Sequence, residues 1–365
     1  PDHDVPPLHV RVMGVTVAID CPDEETRDRL ARQWSRALVP VEAGPALRTV
    51  HAQAGADELI HAHDYALTTE VTLAALLLTA GERFNLHAGG LADADGRVLA
   101  LVAPSGTGKT TATRVLAEHL DYLSDETVSL SRDGAVLPHA KPLSVFADAT
   151  KAGPKLQLSP DDLGLLPTPE SGRLGRVVVL HRGRPGTRGL VRLDTLEGLL
   201  ELIAQSSSLG DVPDPLRSLH RLVGSVGGVF ALEYDEIADH VDDLVALLAD
   251  EVPPVTGPEP VSHPGTRYSG NFVEQAVEPG LVARSEWVDA VELEEDVLVL
   301  RHGRAIRLEN LMATVWLGLE DPRTPEELVS VAEAAHGDHP EAADLVERAI
   351  DLLTEEGLVV RGPVT

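Results

Sequence analysis

The sequence predicts an α/β protein of several domains: a phosphate-loop core, a small α/β cap before it and a separate module after it. Three observations carry that expectation. Apolar stretches of strand length alternate with amphipathic stretches of helix length between residues 83 and 250. A glycine-rich turn at 103–110 separates one such strand from one such helix. A run holding five prolines and two glycines, residues 251–266, then interrupts the patterning. The expected boundaries are a cap over 1–62, the core over 63–250, a stiff proline-rich linker over 251–267 and a C-terminal domain over 268–365.

Taken in order, residues 8–20 alternate well enough for one or two short strands. Pro22-Asp23-Glu24-Glu25 reads as a helix start with acids in its first turn, and Leu30, Trp34 and Leu38 follow at helical spacing. Residues 67–81, rich in Leu and Ala, predict a second helix. In the core, strands are expected at Val98–Val102, Tyr122–Leu130 and Arg176–His181, and helices at Lys109–His119, Leu196–Gln205 and Ile237–Leu248. Their alternation predicts a mostly parallel sheet. Beyond the linker, strands are expected at Ala290–Leu293, Val297–Arg301 and Ala305–Leu308. Helices are expected at Leu311–Leu319, Pro325–His336 and Glu341–Glu356, with a last strand at Leu358–Arg361.

Composition narrows the function. Of 365 residues, 43 % are hydrophobic but only 3 % aromatic, so the core must rest on Leu, Val and Ala. The sole cysteine, Cys21, cannot form a disulfide framework or a cysteine-built zinc site. No stretch approaches the ~18 apolar residues of a membrane span. The start Pro1-Asp2-His3-Asp4 lacks the basic and apolar run of a signal peptide, and a cytoplasmic location is expected. A net charge of −29 repels nucleic acid and anionic lipid, so neither is expected as a partner; a basic peptide suits the surface better. All 4 lysines, Lys109, Lys141, Lys151 and Lys155, fall in one short stretch. A flexible ammonium is a common phosphate ligand, which makes Lys141, Lys151 and Lys155 candidates for binding phosphate or substrate.

The most specific motif is Ala103-Pro-Ser105-Gly106-Thr107-Gly108-Lys109-Thr110-Thr111, entered from an apolar strand and followed by a helix. Glycines there let backbone amides converge on phosphate oxygens, and the helix N-terminus adds positive charge. Lys109 is expected at the β and γ phosphates and the Thr110 hydroxyl on Mg²⁺. Ala103 stands where this motif ordinarily has its first Gly. Further on, Asp125 and Glu126 interrupt an apolar strand. A buried acid needs a cationic partner, and Mg²⁺ at the loop is one candidate. Asp125 is a candidate base or metal ligand and Glu126 a candidate metal support. Neighbours on a strand face opposite ways, so the pair can act together only if the strand ends between them. His87 precedes a hairpin-like element with a turn at Asp95-Gly96 and could lie beside the phosphates.

Weaker signals remain. His61 and His63 could share one face of a strand. Arg182 and Arg184 follow a strand end, where sites of open α/β sheets lie. Gln205-Ser206-Ser207-Ser208 reads as a mobile loop.

Together, His87-Ala88-Gly89, the turn Asp95-Gly96, the loop Ala103–Thr110 and the acids Asp125-Glu126 resemble the HPr kinase family over residues 83–190. The resemblance implies a P-loop fold unlike that of eukaryotic protein kinases, ATP or GTP as donor, Asp125 as general base toward a hydroxyl, and Mg²⁺ near Thr110, Asp125 and Glu126. Glu126 stands where that family has a second Asp, and the C-terminal signature of the bacterial regulatory enzymes is not found. The closer match is the looser HPr kinase-like set, which includes kinases of peptide natural-product gene clusters.

Residues 279–361 resemble a PqqD-like winged-helix module, which binds leader peptides of ribosomally made precursors. The matching stretches are Asp296–Arg301, Ile306–Asn310, Ala313–Trp316, Arg323–Leu328 and Leu352–Leu358. The resemblance implies a leader peptide that adds a strand at Ala305, Ile306, Arg307 and Leu308 and packs on the helix Glu341–Glu356. Over residues 268–365 acids number 21 and Lys plus Arg 7, a balance unsuited to a DNA-binding winged helix. The whole chain is thus expected to phosphorylate a Ser or Thr of a precursor peptide, with other peptide-modifying enzymes as further partners. The alternatives are a small-molecule kinase with a regulatory C-terminal domain, or a nucleotide-bound scaffold.

Overall fold

The computed structural model describes residues 5–55, 59–147, 153, 155–183, 189–265 and 277–363. The chain divides into two units. One comprises Pro1–Val212 and Leu219–Thr256, the other Pro213–Ser218 and Gly257–Thr365. Both mix helices with β-sheet, which makes the protein α/β in the broad sense.

The first unit opens with a three-stranded sheet. Leu8–Val12 pairs antiparallel with Val15–Asp20, which pairs parallel with Arg48–His51. The first two strands are joined by Met13 and Gly14, both at positive φ (51° and 85°), the two-residue turn that suits twisted strands. The helix Glu24–Gln33 is capped by Asp23, whose side chain accepts from the Thr26 amide at 2.7 Å. Trp34 at its end is fully buried.

A second helix, Ile60–Thr79, lays Leu67, Val71, Ala74 and Ala75 on the small sheet beside Val10, Ile19 and Leu30. It begins well before the expected start at 67. Its polar first turn is held by Asp64, buried, which accepts from Arg29 at 2.9 Å and Gln33 at 2.8 Å. His61 and His63 therefore lie on a helix rather than a strand, where residues two apart point to different sides.

The main sheet of this unit has ten strands. Arg97–Val102 and Gly172–Arg182 run parallel at its centre, and Val229–Tyr234 runs parallel on the far side of Gly172–Arg182. Every other pairing is antiparallel. The expectation of a mostly parallel sheet is thus corrected. Ala88–Ala92 and Arg97–Val102 are joined only by the turn 93–96, far too short for a crossover helix, so they form a hairpin. The expected strand Tyr122–Leu130 is two strands, Asp121–Ser124 and Val128–Leu130, parted at the acids. Gln205–Ser208 is not simply a loop, since Ser206–Ser207 pairs with Asn85–Leu86.

One face of the central strands, through Leu99, Leu101, Val178, Leu180 and Leu232, packs on Ala112 and Leu116 of the helix Lys109–Leu116 and on Leu244 and Leu248 of the helix Val241–Ala249. Burying such side chains contributes roughly 1.5–3 kcal/mol each before entropy is counted.

In the second unit, four antiparallel strands lie in the order Val261–Pro264, Asp289–Leu293, Asp296–Arg301, Arg304–Leu308. Residues 261–264, expected within a linker, thus form an edge strand among the described residues, a position in a sheet that tolerates proline. Helices Asn310–Leu317, Pro325–His336 and Ala342–Glu355 follow. The second has a full capping box: Glu327 N donates to Thr324 Oγ1 at 3.3 Å, and Thr324 N donates to Glu327 Oε2 at 2.9 Å. Trp316, Leu328, Ile350 and Leu353 fill the core against Val299 and Leu308. Val359–Arg361 closes the unit against Val282–Arg284.

Candidate active site

The glycine-rich segment leaves the central strand Arg97–Val102 and enters the helix at Lys109. Gly106 and Gly108 have φ of 84° and 98°, a region L-side chains avoid, which explains why the turn needs glycine at those two places. Ala103 has no such φ and is fully buried, so an alanine there strains nothing. The Lys109 ammonium curls back over the turn and donates to the Ala103 carbonyl at 3.0 Å and the His87 carbonyl at 3.2 Å. Burial lowers its pKa to about 8, against the pull of Asp125 and Glu126.

The acids reach the same place because the strand ends at Ser124. The Ser124 hydroxyl accepts from the amides of Glu126 (3.1 Å) and Thr127 (3.0 Å), a local turn that stops the alternation of faces. Asp125 and Glu126 can therefore converge. Asp125 is buried. Its Oδ2 accepts from the Thr110 hydroxyl at 3.4 Å, and its Oδ1 lies 3.5 Å from the Tyr122 hydroxyl, which donates. Burial, and then Asp125, push the Tyr122 phenol far up, so it stays a donor.

Lys141 sits between the two acids, 3.2 Å from Asp125 Oδ1 and 3.2 Å from Glu126 Oε2. Burial opposes its charge, yet the two carboxylates outweigh that and hold its pKa above the ordinary lysine value. Glu126 is held low in turn, chiefly by Lys141 acting against burial. His87 lies beside Lys109. Burial and the Lys109 charge both lower its pKa, so its ring is neutral near pH 7.

These groups line a cavity of about 380 Å³. Its walls are the loop Pro104–Gly106 with Gly108–Thr111, His87, Asp125, Glu126 and Lys141. Arg114 of the helix Lys109–Leu116, Tyr65, Thr68 and Thr69 of the helix Ile60–Thr79 and the hairpin residues Ser144–Phe146 and Lys155 complete it. The Lys155 ammonium lies 5.5 Å from the Tyr65 ring centre and 5.3 Å from that of Phe146. Three of the four lysines thus border one hollow; Lys151 lies outside the described residues. Arg182 approaches the loop, with Nη1 3.5 Å from where a Cβ on Gly108 would stand, while it bonds Glu236 at 2.9 Å. Arg184 lies outside the described residues.

Among the described residues, no three His, Cys, Asp or Glu side chains gather as a ready cage for a metal ion. The site does set one hydroxyl, Thr110, and one carboxylate oxygen, Asp125 Oδ2, side by side. That donor set suits Mg²⁺, which keeps several waters and takes its remaining ligands from substrate phosphates. The role of Lys141 and the wall from Tyr65 to Thr69 were not anticipated from sequence. The clustering of lysines was the signal for the first; nothing in the helix pattern signalled the second.

On the second unit, the strand Arg304–Leu308 pairs on one edge only among the described residues. Ile306 and Leu308 point into the core and Arg307 out, bonding Asp296 at 2.8 Å and Glu309 at 2.9 Å. Ala305 is partly buried. The side chains of this strand thus leave little apolar surface exposed.

No family model matches the chain, and no curated protein matches it. Among solved structures, it is similar to the HPr(Ser) kinase/phosphatase from Coxiella burnetii, with 11 % identity and a TM-score of 0.26, over 44 % of this chain and 93 % of that one. A likeness of that size carries no argument about fold or activity. No described helix is long and apolar enough to cross a membrane.

Proposed function

We propose that the first unit transfers a phosphoryl group from ATP, or GTP, to a hydroxyl, and that the acceptor is a Ser or Thr of a precursor peptide. The observation that supports this is the meeting of Lys109, Thr110 and Asp125 around one cavity beneath a glycine-rich turn. The amides of Ser105–Thr111 would cradle the phosphates, and Lys109 would exchange its two carbonyl partners for phosphate oxygens. Mg²⁺, held by Thr110 and Asp125 with Glu126 nearby, would supply charge neutralisation at the transferred group. Asp125 would accept the hydroxyl proton. His87, neutral beside Lys109, would orient the acceptor by hydrogen bond.

The peptide half of the reading rests on the resemblance of residues 279–361 and on the place of Arg304–Leu308 as the last strand of its sheet among the described residues. A leader would add a strand there and so raise the effective concentration of the linked hydroxyl.

The test is transfer from labelled ATP to the precursor peptide. Asp125→Asn is expected to lower the transfer rate at least 100-fold while ADP still binds. Undiminished transfer by that variant would rule Asp125 out as base. Removing residues 268–365 should weaken peptide binding and spare ADP binding; peptide affinity that survives would sink the leader-binding claim.

A further inference from the structure

We infer that Lys141 is a resident cation that takes the place of a second divalent ion, so that the site binds a single metal ion, on the Thr110 side of Asp125. The inference rests on the phosphotransfer reading and assigns the roles within it.

Two adjacent acids at a phosphate loop are donors enough for two metal ions, a common arrangement in phosphoryl chemistry. Here the space between them is already filled. The Lys141 ammonium lies 3.2 Å from Asp125 Oδ1 and 3.2 Å from Glu126 Oε2, and it donates to the Pro142 carbonyl at 3.1 Å. All three of its N–H bonds are used, and only 2 % of the residue is exposed. A divalent ion entering between the acids would have to expel this ammonium. The lysine would then be a buried charge without partners, which costs several kcal/mol.

The same contacts divide the oxygens of Asp125. Oδ1 is occupied by Lys141 and Tyr122, whereas Oδ2 faces Thr110. With one oxygen clamped, the carboxylate cannot rotate freely, and only Oδ2 is offered to a metal ion or a proton. Lys141 is thus a positioning residue: its N–H bonds go to Asp125, Glu126 and the Pro142 carbonyl, and it acts through the two acids. Glu126 belongs to this clamp rather than to the metal.

Counting Mn²⁺ by electron paramagnetic resonance, with ADP as the nucleotide, tests this on the full chain. The wild type should bind about one ion per chain, and Lys141→Met about two, because the freed acids form a second site. The double variant Lys141→Met, Glu126→Gln should return to about one. Mn²⁺ without nucleotide should raise the melting temperature of Lys141→Met by several degrees more than that of the wild type. Two ions in the wild type would overturn the inference, as would a single ion in a Lys141→Met protein that melts cooperatively and binds ADP. Failure of Lys141→Met to fold even in Mn²⁺ would also overturn it, since an ion could then not stand in for the ammonium. A wild type that binds no ADP would instead bring down the phosphotransfer reading, and this inference with it.

Discussion

Protonation of His139 should make the stability of the first unit depend on pH in a way that a single substitution removes. His139 is completely buried. Its Nε2 is 3.3 Å from the Thr72 hydroxyl, which itself donates to the Thr68 carbonyl, so the ring must be the donor at Nε2. Burial, and then the neighbouring Lys141 charge, lower its pKa from 6.5 to about 3. The unfolded chain should titrate near the ordinary 6.5. Between those two values the unfolded state binds a proton that the folded state does not, so stability rises with pH across that window. Stability from this group is complete above 6.5 and is lost as pH falls toward 3. The slope below 6.5 approaches 1.36 kcal/mol per pH unit, which amounts to roughly 2 kcal/mol between pH 6.5 and 4.5. His139→Gln keeps a donor but cannot take up the proton. Urea unfolding of both proteins at pH 4.5, 5.5, 6.5 and 7.5 isolates the effect, because the carboxylates common to both cancel in the difference. The advantage of the wild type over the variant should shrink by about 2 kcal/mol toward pH 4.5. A difference that stays constant across that range would refute the assignment of a neutral buried ring.

Two further perturbations probe the supports of the site. Gly89→Ala would put a Cβ 2.2 Å from the buried Thr113 hydroxyl on the phosphate-loop helix. This should cost about 1–3 kcal/mol in denaturant unfolding and weaken ADP binding by moving that helix. Asp64→Ala leaves Arg29 and Gln33 without their acceptor at the start of the helix Ile60–Thr79 and should cost about 3 kcal/mol, read from the unfolding midpoint; a loss under 1 kcal/mol would show the pair to be idle.

Where the sequence was legible, local chemistry and tertiary structure agreed. Thr324-Pro325-Glu326-Glu327 carries its own start signal, and the helix Pro325–His336 has the expected bounds. The turn around Gly106 and Gly108 announces itself because few other residues tolerate its backbone. Sheet direction was not legible, because strand patterns do not encode the direction of pairing and the short turn at Asp95-Gly96 outweighs the strand–helix alternation that follows it. The early start of the helix Ile60–Thr79 was hidden because its first turn is polar and is secured by Arg29, a residue far away in the chain. At the candidate site, Lys109, Thr110 and Asp125 border one cavity. The turn that lets Asp125 and Glu126 face one way depends on Ser124, whose hydroxyl is an ordinary strand residue until its amide partners are seen. Lys141 could be suspected only from the scarcity of lysine elsewhere.

The strand Arg304–Leu308, last in its sheet among the described residues, bears on how this protein behaves when concentrated. An outer strand of a sheet is a place where an extended chain can add, a neighbouring molecule of the same protein included. Arg304 and Arg307 are neutralised by Glu356, Asp296 and Glu309, so they do little to attract another acidic surface. Mutual repulsion between molecules of charge −29 is then the main barrier to edge-to-edge stacking. Because that barrier reaches only about 8 Å at physiological ionic strength and about 3 Å in 1 M salt, brine should promote self-association, and a bound guest strand should suppress it.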